Sequence, residues 1–341
     1  MSWIVFFISV FFIMGNAIYV IYFSEEGESQ TGSLLLEREV SVSAHTVKRA
    51  NEPISPIRKP TNLNAEKVEL GYALFHDPRL SKDDTVSCAS CHDLFSGGVD
   101  DTKFSVGVDG AVGDINAPTV YNSSLNFVQF WDGRAKSLAE QAAGPITNPV
   151  EMASSWQQVV SKLNADADLS DYFIRVYDEK PNKKNIADAL AEFERSLVTP
   201  SRVDRWLQGD DSALSPDEMR GYRVFVSHGC TACHQGEGIG GNIYQRFGIM
   251  YDYFANRGQI AQSDMGRFNV TKREEDRFVF KVPSLRNVTL TAPYFHDGSS
   301  ETLESAVIQM GYFQLGANLP SGDIDDIVKF LNALTGEDLY R

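Results

Sequence analysis

The apolar pattern divides this chain into an isolated leading run and two long helical blocks. From Trp3 to Phe23 no charge interrupts a stretch of Ile, Val, Phe, Tyr and Met. About 20 such residues can cross a bilayer. No Lys or Arg precedes Arg38, and Gly15-Asn16-Ala17 is followed by more apolar residues. An uncleaved membrane-spanning anchor over residues 3–23 is therefore expected ahead of a cleaved signal peptide, and either would address the chain to export. Residues 24–58 turn polar and acidic, with Pro53 and Pro56, and read as a tether. Beyond it the apolar period is helical. One helix is expected over 66–75, ended near Asp77-Pro78, a second opening near Ser137, and a third over 185–197.

The same order then recurs. Gly71-Tyr72-Ala73-Leu74-Phe75 is answered by Gly221-Tyr222-Arg223-Val224-Phe225, and Pro118 with Asn122 by Pro283 with Asn287. Asp132-Gly133 and Asp297-Gly298 follow those asparagines at equal distance, and Leu138 and Leu303 then open apolar-periodic helices. Leu190, Phe193 and Leu197 close one block as Ile327, Phe330 and Leu334 close the other. Such ordered self-similarity is an internal duplication. The expected architecture is all-α: an anchor or signal segment (1–23), a tether (24–58), and two related domains over 59–199 and 200–341.

Each block carries one Cys-x-x-Cys-His pentapeptide: Cys88-Ala89-Ser90-Cys91-His92 and Cys230-Thr231-Ala232-Cys233-His234. This is the attachment signature of a c-type haem, with the thiols bonded to the porphyrin and the imidazole on the iron. One helical turn sets both sulfurs on one edge. The pentapeptides use all four cysteines in the chain, so no disulfide framework remains. A shared zinc site would also use four cysteines, but it has no need of a histidine after each pair. The net charge of −15, from 46 acidic and 31 basic residues, argues against a nucleic-acid partner and favours a basic soluble one.

Chemistry is best sought where the two copies differ, on the sixth side of each iron. In the second copy Met310, on the helix opened by Leu303, is the candidate axial ligand; His228, only six residues before His234, belongs to the attachment side. The first copy has Gly144-Pro145 in that region and offers Gln141, Glu151 and Met152. A carboxylate that moves a proton and an amide that holds an oxygen are what peroxide chemistry over an open iron requires. Met152 as a sixth ligand would instead make a two-haem electron carrier.

With Leu74-Phe75-His76-Asp77-Pro78-Arg79-Leu80-Ser81, both pentapeptides, Phe130-Trp131-Asp132-Gly133-Arg134, Pro149-Val150-Glu151-Met152, Leu285-Arg286-Asn287-Val288 and Ala292-Pro293-Tyr294-Phe295-His296-Asp297-Gly298, the sequence from about Lys59 onward resembles the bacterial di-haem cytochrome c peroxidases, a family that includes MauG. The resemblance implies two facing cytochrome c-like domains, a peroxidatic haem on His92 and an electron-entry haem on His234 and Met310. It implies catalytic roles for Gln141 and Glu151, and electron relay through Trp131. It also implies a calcium ion held by Asn116 and the carbonyls of Thr291 and Pro293. The implied partners are hydrogen peroxide and a small donor protein, a cytochrome c or a cupredoxin. A homodimer and a periplasmic location, anchored by residues 3–23, are further expectations. Met310 stands where MauG has a tyrosine, although Tyr312 is close by. One departure is plain: Val108 occupies the position of a histidine that gates the peroxidatic iron in many relatives. An iron open without prior reduction is the expected consequence.

Overall fold

The computed structural model describes residues 10–14, 17–21, 49 and 51–340. It falls into two compact units, Met1–Val47 and Lys48–Arg341. In the first unit Val10–Met14 (β1) and Ala17–Ile21 (β2) pair antiparallel. The expected membrane span over 3–23 otherwise lies outside the described residues. Its described stretches are strands, as suits a run of β-branched and aromatic residues. No helix among the described residues is long and apolar enough to cross a membrane.

The second unit is mostly helical. Its first lobe contains α1 (Ala65–Phe75), α2 (Cys88–Cys91), α3 (Leu138–Thr147), α4 (Trp156–Ala165), α5 (Ala167–Tyr177) and α6 (Lys183–Ser196). Its second contains α7 (Arg202–Leu207), α8 (Pro216–Ser227), α9 (Tyr253–Arg257), α10 (Phe268–Thr271), α11 (Leu303–Leu315) and α12 (Ser321–Asn332). The all-α expectation needs one amendment. Tyr244–Arg246 (β3) and Val279–Lys281 (β4) form a short antiparallel ladder, built by the alternation of Phe278, Phe280 and their neighbours. One apolar core gathers residues between Leu70 and Leu197, another those between Val203 and Leu334 together with Ile54. Residues 51–57, read above as the end of the tether, belong to the second lobe. Ile54 and Ile57 are buried, and Ser55 N–H donates to Gly236 O at 3.1 Å.

The duplication is visible in the packing. α1 crosses α6 at Gly71, and α8 crosses α12 at Gly221. A Cβ would stand 2.0 Å from Ala189 O at the first crossing and 1.9 Å from Asp326 O at the second. Only glycine permits either approach. The two repeat asparagines meet at one hydroxyl. Asn122 Nδ2 donates to Thr199 Oγ1 at 2.8 Å and Asn287 Nδ2 to the same oxygen at 3.1 Å. Both asparagines are fully buried and left-handed, with φ of 59°, a conformation Asn tolerates better than most residues. The lobes are thus joined at their equivalent points.

Candidate functional site

In the first pentapeptide, Ser87 N–H donates to Ser90 Oγ at 3.0 Å and starts a single helical turn. That turn carries Cys88 and Cys91 on α2, and His92 N–H closes it on Cys88 O at 3.0 Å. The His92 ring then turns back, with Nδ1 3.2 Å from Gly98 O. Gly97 and Gly98, both at positive φ, make the tight return possible. The second pentapeptide winds as a tighter turn, Cys230–Ala232, yet reaches the same result: His234 Nδ1 lies 3.3 Å from Ile239 O.

Each imidazole therefore has one nitrogen tied to a backbone carbonyl and Nε2 left over. That is the usual arrangement of an iron-ligating histidine, whose second nitrogen is fixed by a hydrogen bond. Burial pushes the His92 imidazole down and the His234 imidazole down to about 4, so both are neutral, as a metal ligand must be. The four thiols are unpaired with one another. Burial pushes Cys88 up to about 12 and Cys230 up to about 11, so neither pair is a redox dithiol poised near neutral pH. Nor do the cysteines converge. Among the described residues the one cluster with metal-ligand spacing is Asp264, His296 and Asp297. Arg257 fills it by pairing with both carboxylates, and His296 Nε2 lies 2.8 Å from Asp264 Oδ1. The shared-zinc alternative has no site here. Ser105 Oγ is buried, with the Cys91 thiol as its neighbour. The donor set and its surroundings fit haem.

Glu151 is brought to the first of these sites by the turn that follows α3, the helix that carries Gln141. A helix leaves its last carbonyls unsatisfied. Here Pro145 O and Ile146 O receive the N–H groups of Met152, at 3.3 Å, and Ser154, at 2.9 Å, which folds the following turn back along the helix. Leu138, Ala142 and Ile146 bury the inner stripe of α3, while Gln141, beside it, stays half-buried and makes no side-chain hydrogen bond among the described residues. Glu151 sits in the returning turn and accepts from Asn148 Nδ2 at 2.5 Å. Its charge is felt at both Cys88 and Cys91. Burial pushes the Glu151 carboxyl up, against the opposing pull of the Asn148 hydrogen bond and Arg134.

Val108 is sealed against this turn, 1% exposed, its N–H donating to Glu151 O at 2.8 Å. Gly107 is needed beside it, since a Cβ there would meet Glu151 O and Val150 O at 2.4 Å. Met152, by contrast, is 3% exposed and packs in the first core. Sequence reasoning passed over a second carboxyl nearby. Glu194 on α6 is buried within electrostatic reach of Cys88, and burial pushes it up to about 8. Its position in an apolar helical stripe was the available signal.

Trp131 lies where the lobes meet. Its indole N–H donates to Asn116 O at 3.0 Å, and its ring sits edge-on to His296 with centroids 6.3 Å apart. The two residues occupy equivalent places in the repeat, each ahead of Asp-Gly. Met310 on α11 packs on an aromatic cluster of Phe247, Tyr253, Phe254, Phe278, Phe280 and Phe313. Tyr312, two residues on, faces outward, 37% exposed and stacked on Tyr251 at 4.5 Å. His228 is engaged elsewhere, with Nε2 2.7 Å from Asp323 Oδ2. Asn116 is buried with Nδ2 donating to Thr102 O at 3.0 Å, and its Oδ1 accepts no hydrogen bond among the described residues. The carbonyls of Thr291 and Pro293 accept no backbone hydrogen bond among the described residues.

Residues 65–212 match the family model described as di-haem cytochrome c peroxidase. Cytochrome c551 peroxidase of Nitrosomonas europaea is 48% identical, over 85% of this chain and 86% of its own. Cytochrome c peroxidase Ccp of Escherichia coli is 52% identical over 84% of this chain; the chain spans only 62% of that relative's length. Among solved structures, a MauG-like protein associated with microbial copper homeostasis superposes with a TM-score of 0.71 at 28% identity, covering 84% of this chain and 94% of its own.

Proposed function

Since this chain belongs to the di-haem cytochrome c peroxidase family, we propose that it reduces hydrogen peroxide to two waters, drawing two electrons from a small soluble donor protein. The observation that carries this reading is Glu151. It is a half-buried carboxylate with a raised pKa, held by Asn148 within electrostatic reach of the Cys88–Cys91 turn. Haem iron bound at His92 would supply the Lewis acid and redox centre on which peroxide is cleaved. Cys88 and Cys91 would fix that haem, and Cys230, Cys233, His234 and Met310 would hold the second.

Glu151 takes the proton from the near oxygen of peroxide and returns it to the far oxygen, which leaves as water. A raised pKa suits a group that must accept and release that proton near neutral pH. The free amide of Gln141 orients the oxygens. As a ligand of the second iron, Met310, a thioether in an aromatic surround, would favour the reduced state and so suit electron entry. Trp131, in contact with the elements of both lobes, is the aromatic step between them. Tyr312, stacked outward on Tyr251, does not favour MauG-like tyrosine ligation.

Two tests follow from the residues. Val108 offers no ligand, and Met152 is committed to the core. The oxidised holoprotein should therefore show a five-coordinate, high-spin first haem and begin turning over peroxide without a reductive lag. Two six-coordinate, low-spin ferric haems, or a lag abolished by pre-reduction, would overturn this reading of Val108. We also assign Asn116 Oδ1 and the Thr291 and Pro293 carbonyls to one calcium ion, since hard oxygen donors suit it. Chelation should lower turnover and alter the coupling between the haem spectra, and added calcium should restore both. Full activity in metal-free protein would remove the ion from the scheme.

A further inference from the structure

Lys281 is a buried charged residue to which the proposed function gives no role. It ends β4 and is 6% exposed. Among the described residues its ammonium has no hydrogen bond and no ion pair, although the chain carries 46 acidic residues. Burying an unpaired ammonium costs several kcal/mol. Its cross-strand neighbour Tyr244 brings no relief, because the Tyr244 hydroxyl is bonded to another cation, Arg267. Burial alone pushes Lys281 down to about 8. Such an ammonium calls for an anion beside it.

Two observations say where that anion belongs. The first is the course of the strand. Phe280 turns toward His296, with ring centroids 4.4 Å apart, so Lys281 faces the opposite side of the ladder. Beyond Lys281, Val282 O accepts from Gly241 N–H at 2.8 Å and the Pro283 carbonyl faces the His234 ring. The strand therefore runs along the second haem site. The second observation is the duplication. Asn116 and Lys281 each precede their repeat asparagine by the same interval. Each sends its backbone N–H across to the other lobe's Asp-Gly turn, Asn116 to His296 O and Lys281 to Trp131 O, both at 2.8 Å. Where the first copy has an oxygen ligand suited to a bound cation, the second has a cation of its own.

We propose that Lys281 is the internal counter-cation of a propionate of the second haem, and that it positions that haem and raises its reduction potential. This rests on the reading of His234 and Met310 as a haem site. Haem is the one anionic group that reading brings to the ladder, and each haem carries two propionates. A fixed positive charge beside the porphyrin favours the reduced iron, which carries one positive charge less. The electron-entry haem is thereby held above what Met310 ligation alone would give.

The test is spectroelectrochemical titration of holoprotein carrying Lys281→Met, with Lys281→Gln as the alternative should the apolar variant fail to accumulate. The reduction equilibrium of the second haem should fall by about tenfold, about 59 mV for a one-electron couple. The propionate-bending band in its resonance Raman spectrum should shift as well. Lys281→Arg, which keeps the charge, should stay near the wild-type value. An unmoved potential with both haems present and methionine-ligated would overturn the role of Lys281, as would a shift confined to the first haem. Loss of methionine ligation in the wild-type spectrum would instead overturn the site reading on which it rests.

Discussion

Glu151→Gln should leave both haems attached and peroxide turnover lower by about 10²- to 10⁴-fold, the range a positioned general acid–base supplies. The substitution is close to isosteric. Its amide can still pair with Asn148, whose Nδ2 now meets Glu151 Oε1 at 2.5 Å, and the backbone bond from Val108 to the residue 151 carbonyl is untouched. What disappears is the ability to take a proton from one oxygen and give it to the other. The pH profile offers a second readout. Glu151 must be ionised to accept the first proton, and burial pushes its pKa up. Wild-type turnover should therefore fall as the pH drops through a value above the ordinary carboxylate range. Glu151→Gln should lack that acidic limb. Near-normal turnover, or an unchanged acidic limb, would remove Glu151 from its role.

How much of this could be read from the sequence depended on whether a feature is local. The haem turns are local. Two cysteines, one helical turn and a histidine define them, and the structure adds only the carbonyls of Gly98 and Ile239 that fix the rings. The duplication was equally legible, because Asn122 and Asn287 or Gly71 and Gly221 are constrained by sharp backbone requirements that no other residue type meets well. Their convergence on Thr199 was not, since nothing in a linear pattern says that two lobes share one hydroxyl. The same limit hid the docking of residues 51–57, the seal of Val108 on Glu151, and the isolation of Lys281. Each depends on a partner far along the chain. The two helices α4 and α5 passed unread for a different reason: they lie between motifs and carry no chemistry to draw attention. Residues 10–14 and 17–21 pair as strands, which the residue types favour but which apolar length alone did not announce.

Arg286→Met should cost about 3–5 kcal/mol of stability, as expected when one partner of a buried ion pair is removed. Arg286 and Asp204 are both 1% exposed. They meet in a bidentate pair, Nη1 to Oδ2 at 2.8 Å and Nη2 to Oδ1 at 2.9 Å. Everything around the pair is committed to it. Asp204 also accepts from Ile57 N–H at 2.7 Å, Ser201 N–H at 2.7 Å and Ser201 Oγ at 2.8 Å, while Arg286 Nε donates to Glu237 O at 2.6 Å. The network thus ties the segment ahead of α1, the start of α7 and the loop after the second haem turn to one guanidinium. Without it the Asp204 carboxylate is stranded in the interior. A loss of that size is a large part of the 5–15 kcal/mol by which domains are ordinarily stable. Lysine should not rescue, because a single ammonium cannot reproduce the planar fork. Arg286→Met combined with Asp204→Asn should recover part of the loss, since no charge is then left unpaired. Equilibrium unfolding of the holoprotein, followed by helicity and by the two haem spectra, measures this. The second haem should be perturbed first, because Glu237 O and Ile239 O, which hold the Arg286 side chain and the His234 ring, lie in one loop. A change under about 1 kcal/mol would put the pair among surface-like contacts, and what fastens residues 51–57 to the second lobe would have to be sought in the Ser55–Gly236 pairing and the burial of Ile54 instead.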